Sequence, residues 1–366
     1  MRIAHVIHSL ASGGAERLVV EMVHLMQKNA EVEVILLTKS GSLFHGALKD
    51  VGIPVNILSD SAKLRNPLLL ADLQKHLSRF DVVHTHLFHA QYAASLLRPF
   101  LPRRVRLVTT EHCNENRRRK KTLYRPIEKW MYAQYDRIVA ISDEVEARLC
   151  EWISEPLTSN RMTVITNGID LSRFQTARPL DRSEFGLHSR DIVITMVAAF
   201  RPEKDHATPI EAMQHLPDHF HLLFVGQGPM VEKYKKLVRR VGVERRVHFL
   251  GYRSDIPEIL KMSDIGLLSS TSEGVPLTLI EMMAAGLPTI GSNVAGIDRM
   301  LEGAGMVFSP KDPMGLKDLI LQISSQQDIR EALFRRGLDR AGQFGIAKTV
   351  QQHLSLYREV LVEPTP

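Results

Sequence analysis

The chain has 366 residues, of which 44% are hydrophobic and 24% charged, which is enough for two domains with substantial cores. No apolar run approaches the ~20 residues of a membrane-spanning helix, and Met1–Leu10 has the pattern of a buried strand rather than of a signal peptide. The two cysteines, Cys113 and Cys150, fit a reduced compartment and lack the spacing of metal ligands, so the composition predicts a cytoplasmic protein.

The first half of the chain alternates short β-branched runs with amphipathic stretches. Predicted helices such as Ala15–Lys28, Leu68–Arg79 and Glu144–Trp152 separate the strands. This alternation is typical of an α/β unit with a parallel sheet and helices on both faces. The predicted strands are Ile3–Ile7, Val32–Leu37, Val55–Leu58, Val82–His84, Leu107–Thr110, Ile138–Ala140 and Thr163–Ile165.

The pattern pauses at Asn167–Leu187, interpreted as an interdomain connection, and then starts again. Two successive doubly wound units predict ligand sites at the carboxyl ends of their strands, facing a cleft. A last amphipathic helix, Ala347–Val362, ends the pattern. The second set of predicted strands is Ile192–Val197, Leu222–Val225, Val247–Leu250, Ile265–Leu268 and Thr289–Ile290, and the helices between them include Ala207–His215, Met230–Val241 and Thr278–Ala285.

Two features at strand ends of the first half are candidates for ligand contact. Gly13-Gly14 lets the backbone approach a ligand, and the helix after it offers free N–H groups, although the pair also fits an ordinary turn. His112 follows the strand Leu107–Thr110, where an imidazole can hold a substrate hydroxyl. A structural role is the alternative, because the chain contains 16 histidines.

Two further features lie at strand ends of the second half. Arg201 and Lys204 follow the strand Ile192–Val197 and form a potential clamp for a diphosphate, since Arg binds two oxygens in a fork and Lys adds a point charge. The strongest signal is Glu273…Glu281, which spans a Gly274-Val275-Pro276-Leu277 turn. Here Gly274 opens the backbone to a phosphate, Pro276 suits the start of a helix, and Glu281 lies one turn inside it.

Together these motifs resemble, in the expected order and over nearly the whole chain, the retaining glycosyltransferases of family 4, which have the GT-B fold. The resemblance rests on Gly13-Gly14, Glu111-His112, Asn167-Gly168-Ile169-Asp170, Arg201 with Lys204, and the Glu273…Glu281 motif. It divides the chain into an acceptor-side domain, residues 1–172 joined by a terminal helix within 347–366, and a donor-binding domain, residues 173–346.

The resemblance also implies a role for each matched residue. Gly13 and Gly14 line the donor and acceptor cleft, His112 touches the donor hexose, and Arg201 and Lys204 hold the pyrophosphate. Glu273 contacts the sugar and Glu281 the ribose. The catalytic set is then His112, Glu273, Arg201 and Lys204, and the donor-binding set adds Gly13, Gly14, Asn167, Gly251, Tyr252, Gly274, Val275, Pro276, Leu277 and Glu281.

No D-x-D triplet occurs in the chain, which agrees with a family that uses basic residues and helix dipoles in place of a metal. The resemblance therefore implies no metal and no cofactor. It also implies front-face attack, in which the leaving phosphate oxygen takes the acceptor proton and no carboxylate acts as nucleophile, unlike in retaining glycosidases. UDP-sugars are the favoured donors.

The formal charge of +6 is concentrated between Arg98 and Lys129, where 11 basic residues face three glutamates. The sequence around Thr110–Asn114 and Asn116–Arg119 resembles enzymes of bacterial exopolysaccharide, capsule or O-antigen assembly. Their acceptors are commonly lipid-diphosphate-linked saccharides, so the stretch predicts peripheral contact with an anionic membrane on its cytoplasmic face. A simple solvated face is the other interpretation.

Three other functions have less support in the sequence. A nicotinamide oxidoreductase is disfavoured because G-x-G-x-x-G is missing after the first strand. A non-catalytic sugar-nucleotide binder is disfavoured by the intact Arg201, Lys204, Glu273 and Glu281. Nucleic acid is not expected as a partner, since only Tyr124 and Trp130 provide stacking surfaces in the basic stretch.

Overall fold

The computed structural model describes residues 1–11, 13–39, 44–60, 67–112, 118–119, 121–153 and 161–363. The chain forms two compact units. The first unit comprises residues 1–168 and 346–366, and the second unit comprises residues 169–345. The predicted positions at Cys113, Asn114, Asn116 and Arg117 lie outside the described residues.

The first unit contains a seven-stranded parallel sheet in the order β3-β2-β1-β4-β5-β6-β7. Apolar clusters cover both faces of this sheet, which explains why its strands are nearly continuous apolar runs. The strands are β1 (Arg2–Ile7), β2 (Glu31–Leu36), β3 (Val55–Ile57), β4 (Val82–His86), β5 (Arg106–Glu111), β6 (Arg137–Ala140) and β7 (Met162–Val164), and the helices are α1 (Gly14–Met26), α2 (His45–Asp50), α3 (Pro67–Leu77), α4 (Leu87–Leu97), α5 (Arg125–Ala133) and α6 (Asp143–Ile153).

The second unit contains a six-stranded parallel sheet in the order β10-β9-β8-β11-β12-β13. Its strands are β8 (Ile192–Val197), β9 (Phe220–Val225), β10 (Val247–Gly251), β11 (Ile265–Leu268), β12 (Thr289–Ser292) and β13 (Met306–Phe308). Its helices are α7 (Leu171–Thr176), α8 (Ala207–Met213), α9 (Val231–Val241), α10 (Ile256–Met262), α11 (Leu277–Ala284), α12 (Ala295–Leu301), α13 (Pro313–Ser325) and α14 (Gln327–Gly342).

The last helix, α15 (Ile346–Val362), belongs to the first unit. Its buried residues Leu354, Tyr357 and Val360 join the apolar cluster that also contains residues of β1 and α1. Among the described residues, no helix has both the length and the apolar character needed to cross a bilayer.

The predicted alternation of strands and helices is confirmed, with two differences. Most of the stretch Asn167–Leu187 belongs to the second unit and is partly helical, because α7 buries Phe174 completely. The strand β13 has no counterpart in the predicted set. It is three residues long and lies at the sheet edge, with Val307 exposed, so it lacks the apolar run that marks the other strands.

Each sheet reverses its strand order at one point, between β1 and β4 in the first unit and between β8 and β11 in the second. Connections on the two sides of such a point diverge, which leaves a crevice at the carboxyl ends of the strands. Fold geometry therefore singles out the loops that follow these four strands.

Candidate functional site

The candidate donor site of the second unit lies at the reversal between β8 and β11. Arg201 and Lys204 follow β8, and Glu273 follows β11. The parallel sheet places the ends of these adjacent strands at one edge, so residues 69 positions apart in sequence meet there.

Lys204 and Glu273 form an ion pair that the sequence could not specify. The Lys204 Nζ atom donates a hydrogen bond to Glu273 Oε1, and the Ser270 hydroxyl donates to the same oxygen over 2.6 Å. The side chains of Lys204 and Glu273 are only 24% and 12% exposed. The carboxylate is therefore held in one orientation beside a cation.

Backbone contacts join the two loops that carry this pair. The Thr271 N–H donates to the Glu203 carbonyl over 2.8 Å, and the Ser269 hydroxyl donates to the Asp205 carbonyl over 2.8 Å. Asp205 adopts a left-handed conformation, with φ of 45°, which ends the short 3₁₀ turn containing Lys204. These contacts fix the positions of Lys204 and Glu273 relative to each other.

Arg201 lies at the outer edge of the site. It precedes the 3₁₀ turn Pro202–Lys204 and is exposed. Among the residues that the structure describes, its side chain makes no hydrogen bond or ion pair with another side chain. The guanidinium is thus available to an anionic ligand beside Lys204, as a phosphate clamp requires.

The Gly-x-Pro turn leads directly into α11. Pro276 occupies the position before the helix rather than its first turn, and the helix begins at Leu277. Gly274, Val275 and Leu277 are partly buried. Glu281 lies just over one turn into α11 and is only 4% exposed, so its carboxylate is buried rather than on a solvated face.

Three glycines around this site were missed by the sequence analysis. A Cβ atom on Gly296, in α12, would lie 2.5 Å from the carbonyl oxygens of both Glu273 and Gly274. A Cβ atom on Gly228 would lie 2.5 Å from the Phe200 carbonyl oxygen, and one on Gly226 would clash with the Ala198 carbonyl. Only glycine permits these approaches, which pack the β9 and α12 connections against the two loops of the site.

The predicted pair Gly251-Tyr252 lies at the end of β10, near the same seam. Gly251 has φ of 69°, a conformation that favours glycine, and its carbonyl accepts a 2.8 Å hydrogen bond from the Gly226 N–H. Tyr252 is 41% exposed. The β8, β9 and β10 connections thus form one continuous backbone surface.

The predicted residues of the first unit follow three of its strands: Gly13 and Gly14 come after β1, beside the strand-order reversal, His112 after β5, and Asn167 after the edge strand β7. Gly13 caps the start of α1, and Gly14 begins that helix, where a Cβ atom would have no neighbour within 4 Å among the described residues. Asn167 is buried. His112 follows β5, and its Nε2 atom lies 3.1 Å from the Nδ1 atom of His86 at the end of β4.

Glu111, the neighbour of His112, is held by contacts inside the first unit. Its carboxylate accepts hydrogen bonds from the Tyr132 hydroxyl and, over 2.8 Å, from Arg119 Nη2. Burial would lower the pKa of the Arg119 guanidinium, but the neighbouring carboxylates, Glu111 foremost, raise it above its usual value. Burial together with the Glu111 carboxylate raises the pKa of the Tyr132 hydroxyl. Glu111 therefore anchors the end of β5 to α5, which positions His112.

The basic stretch is less exposed than the charge count suggests. Arg118 donates to the buried Glu128 carboxylate over 2.7 Å, and its guanidinium lies 3.6 Å from the centre of the Phe88 ring. Arg119 is 9% exposed and paired with Glu111. These two charges are neutralised inside the first unit, so the interpretation of Arg118 and Arg119 as a surface for anions needs correction.

Apolar side chains, instead, are exposed beside this stretch. Leu123, Ile127 and Trp130 are 80%, 45% and 41% exposed. Their spacing of four and three residues places them on one face of the helical segment that runs from the 3₁₀ turn Thr122–Tyr124 into α5. Exposed Lys121 lies at its start. The face combines a Trp and aliphatic side chains with a basic flank.

The chain matches two family models, one in each half. Residues 12–173 match "Glycosyltransferase Family 4" and residues 177–340 match "Glycosyl transferases group 1". Both sheets described above thus correspond to regions with known glycosyltransferase relatives, and the two matched regions follow each other in the order expected from the sequence motifs.

Similar proteins include a UDP-Gal:alpha-D-GlcNAc-diphosphoundecaprenol alpha-1,3-galactosyltransferase of Escherichia coli, 25% identical over 99% of this chain and 98% of the relative. An O-antigen chain mannosyltransferase B of E. coli is 26% identical over 94% of this chain and 96% of the relative. Among solved structures, Anabaena HepE in complex with UDP-glucose superposes with a TM-score of 0.87 at 20% identity, covering 98% of this chain and 100% of HepE. The chain has the GT-B fold and is a glycosyltransferase that belongs to family 4.

Proposed function

We propose that this glycosyltransferase moves a hexose from a UDP-sugar to a lipid-linked or saccharide acceptor in cell-surface polysaccharide synthesis. The observation that carries the proposal is the Lys204–Glu273 pair at the β8/β11 reversal, with Arg201 beside it. The name of the E. coli galactosyltransferase, which contains UDP-Gal and a diphosphoundecaprenol acceptor, and the UDP-glucose in the HepE complex support a UDP-hexose donor and a diphosphate-linked acceptor.

The charges of the second unit suit a nucleoside diphosphate leaving group. An ammonium group has three donors, so Lys204 can keep its bond to Glu273 while donating others to a phosphate oxygen. Arg201 adds a second cation. Two positive charges can stabilise the negative charge that develops on the diphosphate, and we propose that they do so without a metal ion.

Glu273 is proposed to act on the transferred sugar. Its orientation is set by Lys204 and Ser270 before any ligand binds, so a carboxylate is preorganised where positive charge develops at the anomeric carbon. Glu281, buried in α11, is proposed to accept hydrogen bonds from ribose hydroxyls. The backbone segment that joins the two glutamates would then contact the donor through Gly274, Val275, Pro276 and Leu277.

The remaining roles rest on the family resemblance. We propose the second unit as donor-binding and the first as acceptor-side, with His112 serving the sugar and Gly13, Gly14 and Asn167 contributing to substrate binding. Gly251 and Tyr252 are proposed as donor contacts because they belong to the surface formed by the β8–β10 connections. Transfer is proposed to retain configuration by front-face attack, with the leaving phosphate oxygen taking the acceptor proton.

The test of the donor is a thermal-shift panel of nucleotide sugars on the full chain. A ligand at a hundred times its Kd stabilises the folded state by about 2.7 kcal/mol, which gives a clear shift. We expect shifts with UDP and UDP-hexoses, and none of that size in a Lys204→Ala variant. Equal shifts with all bases, or shifts unchanged in the variant, would contradict the proposed site.

Peripheral contact with an anionic membrane is proposed through the face that contains Leu123, Ile127 and Trp130. Trp and aliphatic side chains enter the headgroup region while flanking lysines meet anionic lipid, worth about 1 kcal/mol each. Leu123→Glu with Ile127→Glu should abolish sedimentation with phosphatidylglycerol vesicles. The control is Met314→Glu, an apolar position in the second unit that is as exposed as Ile127. Unchanged sedimentation of the double variant would refute the proposal.

A further inference from the structure

A cluster of buried histidines lies on one face of the first sheet. His5 of β1 is paired in register with His84 of β4, and His86 lies two residues further along β4. Because side chains alternate along a strand, these three imidazoles point to the same face. All three are at most 1% exposed. Such complete burial of polar rings requires an account of their hydrogen bonds.

Two successive hydrogen bonds link His5 to His86 and His86 to His112. His5 Nδ1 lies 2.9 Å from His86 Nε2, and His86 Nδ1 lies 3.1 Å from His112 Nε2. His5 and His86 are nearly parallel, with an angle of 12° between their rings. The three imidazoles therefore form a continuous chain from the sheet interior to the loop that follows β5.

The imidazoles in this chain are neutral near pH 7. Burial lowers the pKa of His5 to about 3 and that of His112 to about 4, and burial with neighbouring imidazoles lowers the pKa of His86 well below its usual value. A neutral imidazole has one donor and one acceptor nitrogen. The protons in the chain must therefore all be arranged in one direction or all in the other.

The inner end of the chain favours one direction. In the first arrangement His5 donates to His86 and His86 donates to His112, which leaves the buried His5 Nε2 as a bare acceptor. In the second arrangement the same atom is a buried N–H. His5 Nε2 has no hydrogen-bond partner among the described residues. Among backbone groups, a buried N–H without a partner is rarer than an under-satisfied carbonyl oxygen, and the same preference applied to this ring nitrogen favours the first arrangement.

A metal ion is a weaker explanation of the same cluster. Nitrogen atoms of His5, His84 and His86 lie within 4.8 Å of one another. However, both nitrogens of His84 are bound to hydroxyls, of Thr110 and Tyr357. His5 Nδ1 and His86 Nε2 are 2.9 Å apart, whereas two nitrogen ligands of a tetrahedral zinc ion lie roughly 3.3 Å from each other. The direct hydrogen bonds account for these atoms without an ion.

We propose that His5 and His86 are positioning residues that fix His112 as the tautomer protonated on Nδ1. This inference rests on the proposed function to the extent that His112 serves the transferred sugar. In the favoured arrangement His112 Nε2 accepts from His86, so its proton resides on Nδ1, and that nitrogen becomes a hydrogen-bond donor. A donor at this point suits a sugar hydroxyl or a carbonyl-like acceptor rather than another N–H.

The primary test reads the tautomer directly. The full chain, labelled with ¹⁵N-histidine, is examined by NMR through the long-range couplings that distinguish Nδ1–H from Nε2–H. The His112 signals are assigned by their loss in His112→Phe. We expect the Nδ1–H pattern in the wild type, and conversion towards Nε2–H, the form that free histidine favours, in His86→Phe.

Two further variants separate tautomer control from packing. His353→Phe removes an equally buried imidazole that stacks on His84 but, among the described residues, hydrogen-bonds only the Thr349 carbonyl of its own helix, and it should leave the His112 pattern unchanged. His86→Asn places an amide donor at the Nδ1 position and should restore the Nδ1–H form. The proposal is refuted if wild-type His112 is Nε2–H, if His86→Phe leaves the pattern unchanged, or if purified protein contains one zinc per chain.

A kinetic measurement keeps this inference distinct from the proposed function. For UDP release from UDP-glucose, we expect kcat to fall about tenfold in His86→Phe, the effect of one neutral hydrogen bond, with recovery in His86→Asn. UDP affinity should stay constant, since the UDP contacts are proposed in the second unit. Absence of turnover in the wild type would count against the proposed function, while the NMR result would still decide the tautomer.

Discussion

Gly296 offers the sharpest test of how the site is built. An ideal Cβ there lies 2.5 Å from two backbone carbonyl oxygens, those of Glu273 and Gly274, whereas ordinary contact begins at 3.4 Å. In Gly296→Ala the Glu273 loop or α12 must therefore move by roughly 0.9 Å. Neither obstacle is a flexible side chain, so the strain cannot be relieved by a rotamer change.

The expected loss follows from that displacement. A shift of ~1 Å in a reacting group can cost ~100-fold in rate, so we expect kcat for UDP-sugar turnover to fall about that much in Gly296→Ala. UDP affinity should fall less than about tenfold, since Arg201 and Lys204 belong to the other loop. Overpacking should also lower the free energy of unfolding by about 1–3 kcal/mol.

The assay compares turnover, calorimetric UDP binding and Tm in Gly296→Ala, the wild type and a matched control. Asp298→Ala changes an exposed position of the same helix and should leave all three nearly unchanged. Turnover within about threefold of the wild type in Gly296→Ala would refute the argument that α12 holds the Glu273 loop in its active position.

Three other predictions concern the proposed donor chemistry. Arg201→Ala and Lys204→Ala should each weaken UDP binding by about 1.5–3 kcal/mol, the worth of a charge-assisted contact, and unchanged calorimetric affinity in both would place the phosphates elsewhere. Glu281→Ala should mainly raise the donor KM, whereas Glu273→Gln should lower kcat and preserve UDP affinity; the reverse pattern would exchange the two roles. Turnover should survive EDTA, and loss restored only by a divalent ion would contradict a metal-independent clamp.

The strands were predictable because each is a compact run of apolar residues. Ile192–Val197 and Ile265–Leu268 match the structure residue for residue, since a strand buried on both faces leaves little room for polar side chains. The edge strand Met306–Phe308 was missed because it is short and half solvated. The sequence pattern therefore identifies strands that are buried on both faces, because their burial requires apolar residues throughout.

The candidate site was only partly predictable. Lys204 and Glu273 were each identified by their place after a strand, but their direct contact depends on the β8–β11 pairing, which no local pattern encodes. No local pattern marked Gly296, since the obstacles to a side chain there are the carbonyl oxygens of Glu273 and Gly274, more than 20 residues away in sequence.

The buried ion pairs of the basic stretch and the histidine chain were also unpredictable, because both depend on contacts that the sequence pattern does not show. The charge run containing Arg118 and Arg119 appeared solvated because the sequence does not show the buried carboxylate of Glu128 beside them. The histidine chain was hidden for a related reason. His5 and His86 are 81 residues apart, and only the neighbouring positions of β1 and β4 bring them together.

The path of the chain has a consequence for the order in which the protein is made. The second unit is inserted into the first, and its two ends meet where the Ile169 N–H donates to the Phe344 carbonyl over 2.9 Å. On the ribosome, the inserted unit is therefore complete before the first unit receives α15. Until then His84 lacks Tyr357, its partner 273 residues later, and the apolar face under that helix stays uncovered. Early termination near residue 345 would spare the unit made later and leave the one made first unfinished.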